Sequence, residues 1–78
     1  MTTATTVEPV YRLIGAKIEQ TRRALGWTQH DLACRCGLTR ASIANIELGR
    51  QRMMLHTIED VAIAFQTTPK FFLRGIWL

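Results

Sequence analysis

The residues of this chain best suited to recognition chemistry are its arginines. Eight of its ten Lys and Arg residues are Arg, set against six Asp and Glu, which leaves a net charge of +4. A guanidinium is planar and forks onto phosphate or onto the paired acceptors of guanine, and it is less strongly hydrated than an ammonium. This composition favours a polyanionic partner, and nucleic acid in particular.

The other reactive side chains form no evident site in the sequence. Cys34 and Cys36 are separated by one residue, whereas zinc and redox pairs usually have at least two between them. We expect two free thiols, Cys36 against the core and Cys34 towards solvent, with a regulatory thiol as the alternative. His30 and His56 lack a partner cluster suited to metal or catalysis, so we expect both at the surface. The sequence thus predicts no enzyme activity, no metal site and no cofactor.

The chain length predicts a single domain. With 78 residues, the chain is short of the roughly 50 further residues that a second core would need. Residues 1–8 are Thr-rich without periodicity and predict a flexible N-terminal arm, and residues 9–78 would form the domain. No leader pattern opens the chain, and no apolar run approaches the roughly 18 residues of a membrane span. These features indicate a cytoplasmic protein of bacterial or phage origin with no membrane partner.

Hydrophobic spacing predicts a first helix that begins near Pro9. Ile14, Ile18 and Leu25 share one face of it, and Gly26 ends the pattern. Charged residues lie mostly off that face: Lys17, Glu19, Arg22 and Arg23.

A second helix is predicted from the residue after Thr28 to about Cys36. Thr28 is a typical N-cap, and Asp31 stands three residues later, in an arrangement similar to a capping box. Gly37 then allows the positive backbone angle of a tight turn.

A third helix follows, with Thr39 as its N-cap and Gly49 as its end. Ala33 is small where the second and third helices would pack closest, and Ile43 and Ile46 would anchor the third helix in the core. Two short capped helices joined by a tight turn form the geometry in which one helix crosses the DNA backbone and the next lies in the major groove.

Two further helices complete an all-α prediction of five. Thr68 and Pro69 resemble a cap and first helical residue, opening a short fifth helix that ends near Arg74 before Gly75. The fourth helix is predicted by apolar residues at helical spacing, namely Leu55, Ile58, Val61, Ala62 and Phe65.

Two segments resemble the lambda-repressor and Cro-like helix-turn-helix family, often called the Xre family. They are residues 27–33, WTQHDLA, and residues 42–50, SIANIELGR. The resemblance covers roughly Ile14 to Phe72. It implies a compact five-helix fold, a homodimer bound to double-stranded DNA at a two-fold operator, and regulation of transcription.

The resemblance also implies which residues touch DNA bases. Arg40, Ala41 and Asn45 match the positions at which the third helix of the family presents side chains to base edges. Arg40 can pair with guanine, Asn45 with adenine, and the Ala41 methyl group can touch thymine. The structural alternative is a surface arginine and a solvated asparagine.

Phosphate contacts are expected at two places. Free amides at the starts of the second and third helices attract anions, so a rim of four residues is expected to contact phosphates: Thr28, Gln29, Thr39 and Ser42. Gln29 matches a family position that holds a phosphate and can also brace the third helix. Arg50, Gln51 and Arg52 match the family loop that grips the backbone, and residues 35–56 carry four Arg against one acid.

One pair is implied to be structural. Arg22 and Glu47 match a family ion pair between the first and third helices, and we assign both to the scaffold rather than to DNA contact.

The chain departs from the family pattern in two places. Met53 and Met54 replace the Pro-Ser that commonly starts the fourth helix, so the start of that helix is left open. The ending is unusually apolar, and it would serve either core packing or a dimer interface that includes Phe71, Ile76, Trp77 and Leu78.

The leading functional hypothesis is a sequence-specific transcription regulator, a repressor, that binds a near-palindromic operator as a homodimer. The alternative is an antitoxin or adaptor whose apolar C-terminus docks a protein partner, with DNA binding secondary. RNA binding is disfavoured because no aromatic stacking platform accompanies the basic residues.

Overall fold

The computed structural model describes residues 9–74, and five helices and their connections make up this part of the chain. No strand occurs within it, so the all-α prediction is confirmed. The expectations for residues 1–8, Ile76, Trp77 and Leu78 lie outside the described residues. The helices are α1 (Pro9–Ala24), α2 (Gln29–Cys36), α3 (Arg40–Glu47), α4 (Leu55–Ala64) and α5 (Pro69–Leu73).

A reciprocal pair of hydrogen bonds fixes the start of α2. The Thr28 hydroxyl accepts from the Asp31 backbone N–H at 3.0 Å, and the Asp31 carboxylate accepts from the Thr28 N–H at 2.8 Å. The predicted capping box is therefore confirmed, and these bonds hold the pKa of Asp31 below its usual value. At the other end Gly37 adopts φ 70°, which ends α2 and turns the chain towards α3.

The interior is a single cluster to which all of the helices except α5 contribute aliphatic side chains. The fully buried core residue of α5 is Phe72. Its ring contacts the ring of Phe65, which stacks on Trp27, the residue just before the N-cap of α2. The ring centroids are 5.9 Å apart for Phe65 and Phe72 and 5.4 Å apart for Phe65 and Trp27. The buried apolar residues are Ile14, Ile18, Leu32, Ala33, Ile43, Ile46, Met53, Ile58, Val61, Ala62 and Phe72.

Two expectations about helix faces were wrong. Leu25 was expected on the apolar face of α1, but it follows the last residue of that helix and is 50% exposed. Leu55 lies in the fourth helix as predicted, and as the first residue of α4 it is 67% exposed. Arg22, expected off the apolar face, continues the line of Ile14 and Ile18 at four-residue steps and is buried.

The starts of the last two helices are weakly capped. Met54 is the N-cap of α4 and forms no side-chain cap bond, while the preceding Met53 is buried. Thr68 holds the N-cap position of α5, with Pro69 in the first turn, but its hydroxyl makes no cap hydrogen bond. The expected threonine cap of α5 is therefore absent, although the proline signal was right.

Gly15 sets the distance between α1 and α3. A Cβ atom at this position would collide with the carbonyl oxygen of Ile46 and lie 2.9 Å from that of Glu47. Only glycine lets α1 cross this closely over the end of α3, which brings Arg22 within reach of Glu47.

No helix in residues 9–74 combines the length and apolar character needed to traverse a lipid bilayer.

Candidate nucleic-acid interface

The surface of α3 presents the residues expected to read bases. Arg40 and Ala41, in its first turn, are exposed, and Asn45, one turn further on, is half-buried. The Thr39 hydroxyl caps the helix by accepting from the Ser42 N–H at 3.0 Å. Ile43 and Ile46 are fully buried and fix the opposite side of α3 to the core. The exposed side of α3 is thus held in a defined orientation.

A buried ion pair anchors α3 to α1. Arg22 Nε donates to Glu47 Oε2 at 2.6 Å, and Arg22 Nη2 donates to Glu47 Oε1 at 3.0 Å. The remaining terminal nitrogen, Nη1, donates to the Trp27 carbonyl at 2.7 Å. The bond to Glu47 is the main cause of the raised pKa of Arg22. Within residues 9–74 every buried side-chain nitrogen and oxygen has a partner, so the pair is a completed network.

Gln29 extends this network to the surface. Its Nε2 donates to Glu47 Oε1 at 3.0 Å, and its Oε1 accepts from Arg40 Nη1 at 3.1 Å. A continuous chain of hydrogen bonds therefore joins buried Arg22 to exposed Arg40. Both polar atoms of the Gln29 amide are engaged, which is the bracing arrangement considered for this residue.

The residues expected at phosphates lie at the helix starts and in the loop after α3. Thr28 and Thr39 are exposed and Ser42 is half-buried. Both threonine hydroxyls act as cap acceptors, which leaves each hydroxyl hydrogen to be donated.

The loop after α3 carries the other expected phosphate contacts. Arg50 and Arg52 are exposed, and Gln51 is half-buried. The Arg50 backbone N–H donates to the Asn45 carbonyl at 2.9 Å, which ties the start of this loop to α3.

Two residues near this surface were not singled out for DNA contact in the sequence. Arg23 and His30 line a shallow depression together with Thr28, Gln29 and Arg40. Arg23 Nη2 also lies 3.0 Å from Glu19 Oε2 across one turn of α1. The signal for Arg23 was its position beside Arg22, just before the cap of α2, but only the fold shows that this end of α1 borders Arg40.

The thiols and histidines occupy the places predicted for them. Cys34 is exposed, and Cys36 is half-buried against the core. Burial, with a smaller contribution from Asp60, raises the pKa of the Cys36 thiol to about 11. His30 and His56 are exposed, and no group of three or more His, Cys, Asp or Glu within residues 9–74 is placed to hold a metal ion.

Phe71 is the only residue of the expected dimer interface that falls within the described part of the chain. It is 37% exposed. Its ring meets Phe72 edge-on at 5.1 Å, and the Lys17 ammonium lies 4.6 Å from its centroid. Part of Phe71 therefore packs within its own chain.

The comparisons with known proteins agree with this geometry. A family model described as helix-turn-helix matches residues 18–72. Comparison with curated proteins gives no significant match.

Several solved structures share the fold of this chain. The restriction-modification controller protein C.AhdI from Aeromonas hydrophila is 26% identical, with a TM-score of 0.80 over 83% of this chain and 98% of that one. The hypothetical transcription factor NHTF from Neisseria is 25% identical, with a TM-score of 0.79 over 94% and 84%. The clp gene regulator ClgR from C. glutamicum is 20% identical, with a TM-score of 0.78 over 82% and 83%.

Proposed function

The chain belongs to the helix-turn-helix family of DNA-binding transcription regulators, and we propose that it is a repressor that binds a near-palindromic operator as a homodimer. Its activity is then binding rather than catalysis, and its place of action is the cytoplasm. The solved structure of C.AhdI, a restriction-modification controller at 26% identity, supports the regulatory class.

The observation that carries this proposal is the hydrogen-bonded chain that ends at Arg40. An exposed arginine ordinarily loses rotamer freedom when it binds, and that loss weakens binding. The bond from Arg40 to Gln29, which is itself bonded to buried Glu47, restricts the guanidinium before DNA arrives. Such preorganisation is expected of a specificity residue.

We assign base reading to Arg40, Ala41 and Asn45. The Arg40 fork pairs with guanine O6 and N7, a contact that contributes about 1–3 kcal/mol of discrimination. Ala41 is exposed beside it and offers its methyl group to thymine, and the Asn45 amide, one turn further along α3, pairs with adenine.

We assign phosphate binding to the helix starts and to the loop. The first-turn amides of α2 and α3 and the hydroxyls of Thr28, Thr39 and Ser42 donate to phosphate oxygens. Because both polar atoms of the Gln29 side chain are engaged, Gln29 contributes through its backbone N–H. Arg23 joins these contacts from the end of α1.

The loop residues Arg50, Gln51 and Arg52 hold the sugar-phosphate backbone beside α3. Contacts of this kind add affinity for every DNA sequence and weaken with added salt, because they release counterions.

A homodimer supplies the two-fold symmetry of the operator. The recognition helices of two copies would lie about 34–36 Å apart, which is one turn of DNA. We propose that Phe71, Ile76, Trp77 and Leu78 form the contact between the copies.

The test is selection of binding sites from random duplex DNA at about 150 mM salt. The proposal predicts an enriched motif with two-fold symmetry and half-sites one helical turn apart. Salt-labile binding without enrichment would contradict the proposal. It would favour the alternative of an antitoxin or adaptor whose apolar C-terminus docks a protein partner, and pull-downs with the full chain would then identify that partner.

A further inference from the structure

A second pair of functional side chains lies on the exposed face of α2. His30 and Cys34 are four residues apart and therefore project from the same side of the helix. The distance between Cys34 Sγ and His30 Nε2 is 3.5 Å, and both residues are exposed. Neither side chain contributes to the core, and neither belongs to the network that ends at Arg40.

The separation of the two atoms fits a shared metal ion. In a tetrahedral zinc site the sulfur lies about 2.3 Å and the nitrogen about 2.0–2.1 Å from the ion, which places the two ligands about 3.5 Å from each other. Ligands four residues apart on one helix are a spacing that zinc sites use, because a single turn aligns both side chains. The pair therefore needs no rearrangement of the backbone to chelate an ion.

We propose that His30 and Cys34 form a chelating site for a soft or borderline transition-metal ion of the Zn²⁺ class. On binding, the Cys34 thiol loses its proton to buffer and a sulfur–metal bond forms. His30 binds as neutral imidazole through Nε2, with its proton on Nδ1, and the two ligands displace two of the waters of the ion.

The surroundings define the rest of the coordination. The Asp31 carboxylate is held by the N–H of Thr28. Within residues 9–74 no third His, Cys, Asp or Glu completes the site, so water fills the remaining positions. This coordination is an open site, unlike the closed four-ligand sites that hold structural zinc.

Cys36 provides an internal comparison. It is two residues from Cys34 but is half-buried against the core. A thiol packed in apolar surroundings is inert, so Cys36 is expected to be a poor metal ligand and a poor nucleophile. We therefore expect Zn²⁺ to bind at Cys34 and not at Cys36.

Zn²⁺ binding to the reduced full chain is measured by calorimetric titration. Iodoacetamide labelling of each cysteine is measured separately, by peptide mass spectrometry with and without Zn²⁺. The variants are Cys34→Ser and His30→Ala, and Cys36→Ser is the matched control. Circular dichroism checks that each variant is folded, as expected for changes at exposed positions.

We expect Zn²⁺ to protect Cys34 from labelling in the wild-type chain and to leave Cys36 unaffected. Zn²⁺ binding should weaken at least about 10-fold in Cys34→Ser and in His30→Ala, since even outer-shell partners contribute that much, and should persist in Cys36→Ser. Absence of Zn²⁺ binding, or binding unchanged by either of the first two variants, would overturn the proposal. Both readouts measure Zn²⁺ binding in the absence of DNA, so neither result bears on the proposed repressor function.

Discussion

In the free chain Arg40 donates to Gln29 through Nη1, and in the proposed complex this bond is kept while the other donors of the guanidinium pair with a base. Gln29 keeps its bond to Glu47 in both states, so it positions Arg40 without reading a base itself. The interaction spans residues 11 and 18 apart in sequence. Helical periodicity carries no information on contacts of that kind. The family resemblance implied the Arg22–Glu47 pair and a brace from Gln29 to α3, but the bond from Gln29 to Arg40 was not expected.

Replacing Arg40 with Ala should relax discrimination at one base position of the selected site. Loss of the bidentate pair should remove about 1–3 kcal/mol of the binding free energy that favours guanine over other bases at that position. Binding to unrelated DNA should hardly change. Fluorescence anisotropy on the selected duplex and on its single-base variants measures both. Arg52→Ala is the control, and it should weaken binding to all sequences and reduce the salt slope by about 0.9. Equal losses on every DNA from Arg40→Ala would refute the base-reading role.

The buried ion pair should behave unlike the exposed one on the same helix. Glu47→Gln leaves the Arg22 charge buried without its counterion, which should cost about 3 kcal/mol of unfolding free energy. Glu19→Gln removes the partner of Arg23 at the surface, and its effect should stay within about 0.5 kcal/mol. Urea unfolding compares the two variants, and similar midpoints would show that the Arg22–Glu47 pair does not hold α1 to α3.

The cap and turn residues made the helices predictable from the sequence. Thr28, Thr39 and Gly37 act within four residues of themselves, so their effect is visible in the sequence. The exposure of Leu25 and Leu55 could not be predicted from the sequence. Each lies where a helix meets a connection, and there tertiary packing decides which side chain is buried. The burial of Arg22 depends on a partner 25 residues away. The spacing of four residues from Ile18 puts Arg22 on the buried face, but only the family resemblance indicated the partner that allows its charge to be buried.

The crossing of α1 over α3 should tolerate no side chain at residue 15. In Gly15→Ala the added methyl group meets the Ile46 carbonyl, so the helices must separate. The expected cost is about 1–3 kcal/mol despite the better helix propensity of Ala. Chemical denaturation tests this, with Gln20→Ala on the exposed side of α1 as the control. A Gly15→Ala chain as stable as the control would contradict the close approach.

The capping box of α2 should make stability depend on acid pH. Hydrogen bonds to Thr28 lower the pKa of Asp31 from its ordinary value of 3.8. A carboxylate with a lowered pKa stabilises the folded state at pH values above its ordinary pKa. This stabilisation is lost as the pH falls through the folded-state pKa. The free-energy difference between wild type and Asp31→Asn should therefore shrink on acidification through this range. Parallel stability curves would show that the cap carries no charge-dependent stabilisation.

The length of α3 calls for two copies on a two-fold operator. With eight residues, α3 is about 12 Å long, while adjacent major grooves on one face of the duplex repeat about every 34–36 Å. One α3 therefore reaches one half-site, and a second copy is needed to read the next turn. The sequence supplied this expectation only through the family, since Ile76, Trp77 and Leu78 permit a dimer without specifying one.

Methylation interference on the selected duplex shows whether α3 reads bases from the major groove. Methylation of guanine N7 blocks the acceptor that Arg40 is proposed to use. We expect interference at guanines in two symmetric clusters one helical turn apart, and loss of that guanine signal with Arg40→Ala. Interference confined to adenine N3 in the minor groove, or none at any base, would contradict it.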